Sequence, residues 1–367
     1  MKKVFIYQPI KLYGTDFSNA AWAEIMNCQI AEPILSDGKT FNSYMGKIWM
    51  KNYMRGKESH LIGSYYKANI LPNNYTTKIQ ILDSSCIEQN DIRNFDMIII
   101  AGFWFYYKYI LFLRSNFPNK IIVVVEEDTF DDMMFYDNAL QITSINVLRS
   151  INLYFAYDRP TFKYVSSLNY SCFFFPLPLN PLYINKLKRN TKFFNKICLG
   201  VGHFVSDLSN FVTSILAFRK ISENIILYPE IIGVHKFKEG EIKEYRKIIP
   251  TLIIKSWVGK DFPRFISQYL LILQPTLRRS FGRLSAESAM VGVPCISNSA
   301  CYMQKYCWPE LSVEPYDQNK IASLLEQLIE NKSFYQKVTK IAWRKITGYA
   351  DNWNICRKKI AKLIHNL

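Results

Sequence analysis

The sequence predicts an α/β protein made of two parallel-sheet domains, and three observations predict it. Short apolar runs alternate with helical patterns along the chain, the order that strand–helix–strand crossovers produce. The 367 residues exceed what a single core usually fills. Residues 269–296 form a punctuated series of strand, glycine-bearing loop, helix and strand, a layout that aims helix-terminal amides at a phosphate.

Taken in order, strands are expected at 4–7, 78–82, 97–101, 121–125, 153–157 and 172–175. A helix is expected at 19–28, behind a Ser18 that suits an N-cap, and an aromatic helix follows the strand at 97–101. Prolines at Pro176, Pro178 and Pro181 break regular structure, and the polar, basic stretch 186–195 reads as a linker. Beyond it, 196–202 reads as a strand ending in glycines, with an amphipathic stretch through Ile221 and further strands at 225–228 and 252–254. The apolar run 269–273 reads as a buried strand. Gln274 and Pro275 open the loop that holds Gly282, and a helix follows with Glu287, Ala289 and Met290. Gly292 and Pro294 end that helix before a strand that begins at Cys295. Ile321, Leu324, Leu325 and Leu328 give 318–330 a helical period. The expected organisation is a first domain over 1–185, a linker over 186–195, a second domain over 196–345 and a closing helical segment over 346–367.

Composition narrows the classes. With 49% hydrophobic residues the chain has enough apolar material for two cores, which excludes extended disorder. There is no uninterrupted apolar run of about 18 residues, the length a membrane-spanning helix needs. The opening residues have too short an apolar stretch for a secretory signal, so the cytoplasm is the expected compartment. The 8 cysteines are scattered, without a Cys-x-x-Cys pair, and read as buried free thiols. No metal or tightly held cofactor is expected.

The formal net charge of +16 has two readings. One is an anionic partner: a membrane surface, a charged glycan or nucleic acid. The other is a diffusely basic surface from lysine-rich composition. Basic residues are densest from Lys337 to Lys362. A second set, Lys47, Lys51, Arg55 and Lys57, is interleaved with Trp49, Met50, Tyr53 and Met54. That second set has the composition of a helix lying at a membrane interface, or of one packed on its own domain.

The residues from Ser280-Phe281-Gly282-Arg283 through Glu287 to Gly292-Val293-Pro294 resemble the donor-binding motif of group-one, family-four-type glycosyltransferases. The resemblance implies the GT-B fold: two Rossmann-like domains facing a cleft, with a C-terminal helix that crosses back to the first domain. It implies transfer of a sugar from a nucleotide-diphosphate sugar, with retention of configuration and with no metal. It gives Glu287 the ribose hydroxyls, a role suited to a carboxylate that accepts two hydrogen bonds from a vicinal diol. It gives the diphosphate to the backbone around Gly282, Arg283, Leu284 and Ser285, with Ser280, Phe281, Gly202, His203 and Gly14 completing the donor-binding set.

Two positions depart from the family. Arg279 stands where a sugar-reading glutamate is usual. Arginine accepts no hydrogen bond but offers a planar fork to a carboxylate or phosphate. Arg279 then either reads an acidic sugar such as a uronate, binds diphosphate, or faces solvent while another group reads the sugar. The second departure is Gly202-His203, where the family carries Gly-Arg followed by a lysine. His203 either donates to phosphate or is a surface histidine, and Arg278, Arg279 and Arg283 are the alternative cations.

In the first domain, a strand ending in Glu126, Glu127 and Asp128 presents carboxylates where parallel strands face a ligand. Glu127 and Asp128 either bind the acceptor, act as general base if the reaction inverts, or cap the next helix. With Arg279 they form the candidate catalytic set. Expected partners are a nucleotide sugar, a glycan or lipid-linked acceptor and an anionic membrane surface. Family precedent points to surface polysaccharide or lipopolysaccharide assembly on the inner face of the membrane. A DNA-base glycosyltransferase is the alternative that brings in nucleic acid, and a non-catalytic nucleotide-sugar or glycan-binding protein is another.

Overall fold

The computed structural model describes residues 4–7, 97–101, 107–126, 142, 145–156, 158–174, 195–202, 210–222, 227–233, 239–256 and 262–366. The strand expected at 78–82 and the helix expected at 19–28 lie outside them. So do the proline-rich break and the linker up to residue 194. The chain divides into two compact units, one made of Met1–Pro178 with Trp353–Leu367, the other of Leu179–Asn352.

The first unit is built on a parallel sheet. Its described strands are β1 (Val4–Tyr7), β2 (Met97–Ala101), β3 (Ile121–Glu126), β4 (Leu153–Ala156) and β5 (Cys172–Phe174), adjacent in that order. Helices α1 (Tyr107–Asn116) and α2 (Arg159–Ser167) are described beside them. The β2 side chains Met97 and Ile98 and the β3 side chains Ile122 to Val124 are fully buried, as parallel strands covered on both faces require. Ile110 and Leu113 of α1 and Val165 of α2 complete that core. Asp158 caps α2 by accepting from the Thr161 amide at 2.9 Å, and Pro160 suits its first turn.

The second unit carries a parallel sheet of β6 (Lys196–Gly202), β7 (Tyr228–Gly233), β8 (Ile253–Ser256), β9 (Leu271–Gln274), β10 (Cys295–Asn298) and β11 (Ser312–Val313). The spatial order is β11-β10-β9-β6-β7-β8. Counted from β6, this is the Rossmann order, and its direction of growth reverses between β6 and β9. The helices are α3 (Phe211–Ile221), α4 (Glu239–Ile248), α5 (Phe262–Ile266), α6 (Arg283–Val291), α7 (Tyr302–Cys307), α8 (Gln318–Glu330) and α9 (Lys332–Asn366). The period read over 318–330 is that of α8, which buries Ile321, Leu324, Leu325 and Leu328 and is capped by Asp317.

Two strands differ from expectation. The strand expected at 225–228 runs instead over Tyr228–Gly233 and includes Pro229 and a buried Glu230. Glu230 is accommodated because Lys255 reaches it at 2.8 Å and the Tyr269 hydroxyl donates to it at 2.6 Å. Tyr269, read as the start of the next strand, precedes β9 and serves that buried carboxylate. The closing segment, read as a separate helix, is the continuous end of α9.

Cys172, Cys198, Cys295, Cys301 and Cys307 are free thiols. Burial pushes Cys295 and Cys307 up to about 12, which keeps them protonated at neutral pH. Among the described residues no cluster of three metal-binding side chains occurs, and no helix is long and apolar enough to cross a membrane.

Candidate functional site

The site grows from the reversal between β6 and β9, where strand ends of such sheets open a crevice for ligands. The two strands pair at Ile197–Leu271 and Cys198–Ile272, and the register of β6 on β7 shifts between Cys198 and Val201. Gly200 makes the shift at φ +153°, and a β-carbon there would stand 2.4 Å from the Phe211 ring. Beyond it the Gln274 side chain takes over the pairing, since its Oε1 accepts from the Val201 amide at 2.6 Å. Gly202 then ends β6, opposite Gly233.

Two asparagines pin the loop that follows β9. The Asn210 amide donates to the Pro275 carbonyl at 2.8 Å and to the Pro315 carbonyl at 2.9 Å. Asn298 donates to the Thr276 carbonyl at 2.8 Å. Farther along, the Ser280 and Phe281 carbonyls accept from the Tyr302 and Met303 amides at 3.0 and 2.8 Å. Phe281 is buried, with Tyr302 and Tyr349 as ring neighbours, so it anchors the loop by packing.

Gly282 then turns the chain into α6. Its φ of +79° and its close approach to Cys301 are conditions a glycine meets without strain. The ladder of α6 opens with the Ala286 amide on the Gly282 carbonyl at 3.1 Å, and the Gly282 amide donates to Ser280 Oγ at 3.2 Å. The amides of Arg283, Leu284 and Ser285 therefore lie in the first turn, outside the helix's own ladder, at the positive end of its dipole. That end is chemically fit for an anion of the phosphate type.

The first turn is held from beneath by a buried polar network. Ser285 Oγ donates to Gln304 Oε1 at 2.8 Å, and the Trp308 indole donates to the Ser285 carbonyl at 2.9 Å. Gln304 Nε2 donates in turn to the carbonyls of Cys295 and Leu311, at 2.9 and 3.0 Å. The Ser285 hydroxyl is thus turned into the core, and what Ser285 presents at the helix start is its backbone. Gln304, Trp308, Asn210 and Asn298 were not singled out from the sequence, and Gln274 was read only as the first residue of the loop. Only Gln304 and Trp308 left a trace there, as two large residues four apart.

Glu287 sits one turn further along α6 and is 7% exposed. Arg283 Nε contacts its Oε1 at 2.7 Å. Burial pushes the Glu287 carboxyl above its ordinary range, and the Arg283 guanidinium pulls it back down by charge and hydrogen bond. Arg278 and Arg279 are exposed on the loop, and Leu284 is half-buried. Ser280 to Ser285 and Glu287 are one contiguous segment, and the Gln274–Val201 bond ties β9, the strand before that segment, to the end of β6. Gly14, Glu127, Asp128 and His203 lie outside the described residues.

No family model matches this chain, and no curated protein matches its sequence. Solved structures do. The sucrose-phosphate synthase of Thermosynechococcus elongatus aligns with a TM-score of 0.59 at 14% identity, over 76% of this chain and 75% of that one. A trehalose-6-phosphate synthase studied for glycosyl transfer with retention aligns at 0.56 and 12% identity, over 73% of each. TarM of S. aureus, solved with fondaparinux, alpha-GlcNAc-glycerol and UDP, aligns at 0.55 and 13%, over 71% of this chain and 55% of that one. The fold is GT-B. At such identities the likeness shows the architecture alone, so the chemistry of this GT-B chain rests on its own residues.

Proposed function

We propose that this chain is a glycosyltransferase of the group-one type that moves a sugar from a nucleotide-diphosphate sugar to a hydroxyl acceptor, retaining configuration. The observation that carries the reading is the start of α6: a glycine turn, first-turn amides outside the ladder, and a buried Glu287 one turn on, beside the sheet reversal. The amides take the diphosphate, and the helix dipole favours the charge that builds on it as the sugar departs. Glu287 accepts from the ribose diol. In the retaining chemistry implied by the resemblance, the departing phosphate oxygen takes the acceptor proton, so no side chain has to act as base. The trehalose-6-phosphate synthase neighbour supports retention by its own chemistry.

Arg279 is read as the group that meets the transferred sugar and favours an acidic one, since its guanidinium donates and cannot accept. Arg278 beside it adds positive charge to the same loop. Should the reaction invert instead, Glu127 and Asp128 are the candidates for the base. The acceptor is read as a growing surface glycan or lipid-linked sugar at the inner membrane face. The net charge of +16 supports peripheral attachment there, as does α9, which exposes Lys340 and Arg344 beside a Trp343 that is 37% exposed.

The test is turnover and binding across neutral and acidic nucleotide sugars, wild type against Glu287→Ala. Sugar release or binding that Glu287→Ala abolishes is expected, with acidic donors preferred and the preference reversed in Arg279→Glu. Absence of binding to every donor overturns the reading. Binding without turnover leaves a glycan- or nucleotide-sugar-binding protein in its place.

A further inference from the structure

Arg283 is an anomaly for a helix. It occupies the first position of α6, where the macrodipole repels a cation. Its partner lies four residues later, and a basic residue preceding an acidic one is the weaker order for such a pair. Helix energetics therefore do not account for it. Glu287 is equally out of place, because a side chain that is 9% exposed disfavours a carboxylate. Arg283 Nε meets the Glu287 carboxylate at 2.7 Å, so each offsets the other's misplacement. Among the described residues, Arg283 is the one charged group that acts on Glu287. Arg283 itself starts from a fixed base, since Gln304 and Trp308 hold the turn it belongs to.

We infer that Arg283 is a positioning residue, which keeps the Glu287 carboxylate charged and in one orientation for the ribose diol and is not itself a diphosphate ligand. The inference rests on the nucleotide-sugar reading above. A carboxylate has about four acceptor sites on its two oxygens, so one Nε–H on Oε1 leaves capacity for both hydroxyls of a diol. Without Arg283, burial acts on Glu287 unopposed, and the carboxyl takes a proton at higher pH. It then offers a donor where the diol needs an acceptor.

The experiment is calorimetric binding of UDP, GDP and ADP, each beside its 2′,3′-dideoxy counterpart, from pH 5.5 to 9. The proteins are wild type, Glu287→Gln, Arg283→Leu and Arg283→Lys. Wild type is expected to prefer the ribonucleotide, and to lose that preference as pH falls through the Glu287 titration. Arg283→Leu should lose roughly tenfold in ribonucleotide affinity near pH 7 while its dideoxy affinity holds. The midpoint of its preference should move to higher pH, and Arg283→Lys should fall between the two. Should Arg283→Leu fail to fold, an intermediate midpoint in Arg283→Lys carries the same test. Equal losses for ribo and dideoxy forms overturn the inference in favour of a diphosphate contact, and no loss at all overturns it outright. Wild type that binds none of the nucleotides overturns both this inference and the function it rests on.

Discussion

At Glu287, stability and the proposed ribose-binding role pull in opposite directions. Its carboxyl is raised by burial in the folded state, so its contribution to stability is full below the unfolded carboxylate pKa. That contribution is lost as pH rises through the folded value. Glu287→Gln carries no such loss. The variant should therefore melt above wild type at pH 8, and the gap should close as pH falls toward 4. Thermal melts across that range read it directly, and the same variant should bind nucleotide poorly at every pH. A gap that widens on acidification refutes the assignment of burial as the dominant cause. The helix that carries this residue was legible in the sequence, because Gly282 and Gly292 punctuate it at both ends. The burial of Glu287 was not, because the punctuation of a helix does not say which of its faces is covered.

Elements were legible to the extent that their pattern was local. The period of α8 lies wholly within thirteen residues. β7 was misread because the apolar run ends at Tyr228 while the strand goes on through Pro229 and a buried Glu230, whose partners Lys255 and Tyr269 lie on other strands and loops. The supports beneath α6 escaped notice for the same reason. Their importance is measurable. Gln304→Ala strips partners from Ser285 Oγ and from the carbonyls of Cys295 and Leu311, and should destabilise the second unit by about 3 kcal/mol. Denaturant unfolding checks this, and nucleotide affinity should fall with it because the helix start loses its base. Gly200→Ala forces a methyl into the Phe211 ring and should cost about 2 kcal/mol or more. Phe211→Leu should recover part of that cost in the double variant, the non-additivity expected of touching residues.

For the molecule as a whole, two compact units on separate sheets should unfold in two calorimetric transitions. Nucleotide should raise one of them, by about 2.7 kcal/mol at a hundredfold excess over Kd. Proteolytic mapping should assign that transition to residues within Leu179–Asn352, where Gly282 and Glu287 lie. The architecture survives at 14% identity to its neighbours because alternating apolar strands need a class of residue, not an identity. Acceptor choice had no comparable signature, since it is not carried by one contiguous motif. The same sheet order bears on how the chain is made. Strand β6 needs β9 on one flank, and β9 emerges from the ribosome only after β7 and β8. Until then Ile197, Cys198 and Leu199, all fully buried at the end, line an unpaired strand rim. A nascent or truncated chain that stops before Leu271 should therefore carry an open strand edge and aggregate more readily than the full chain.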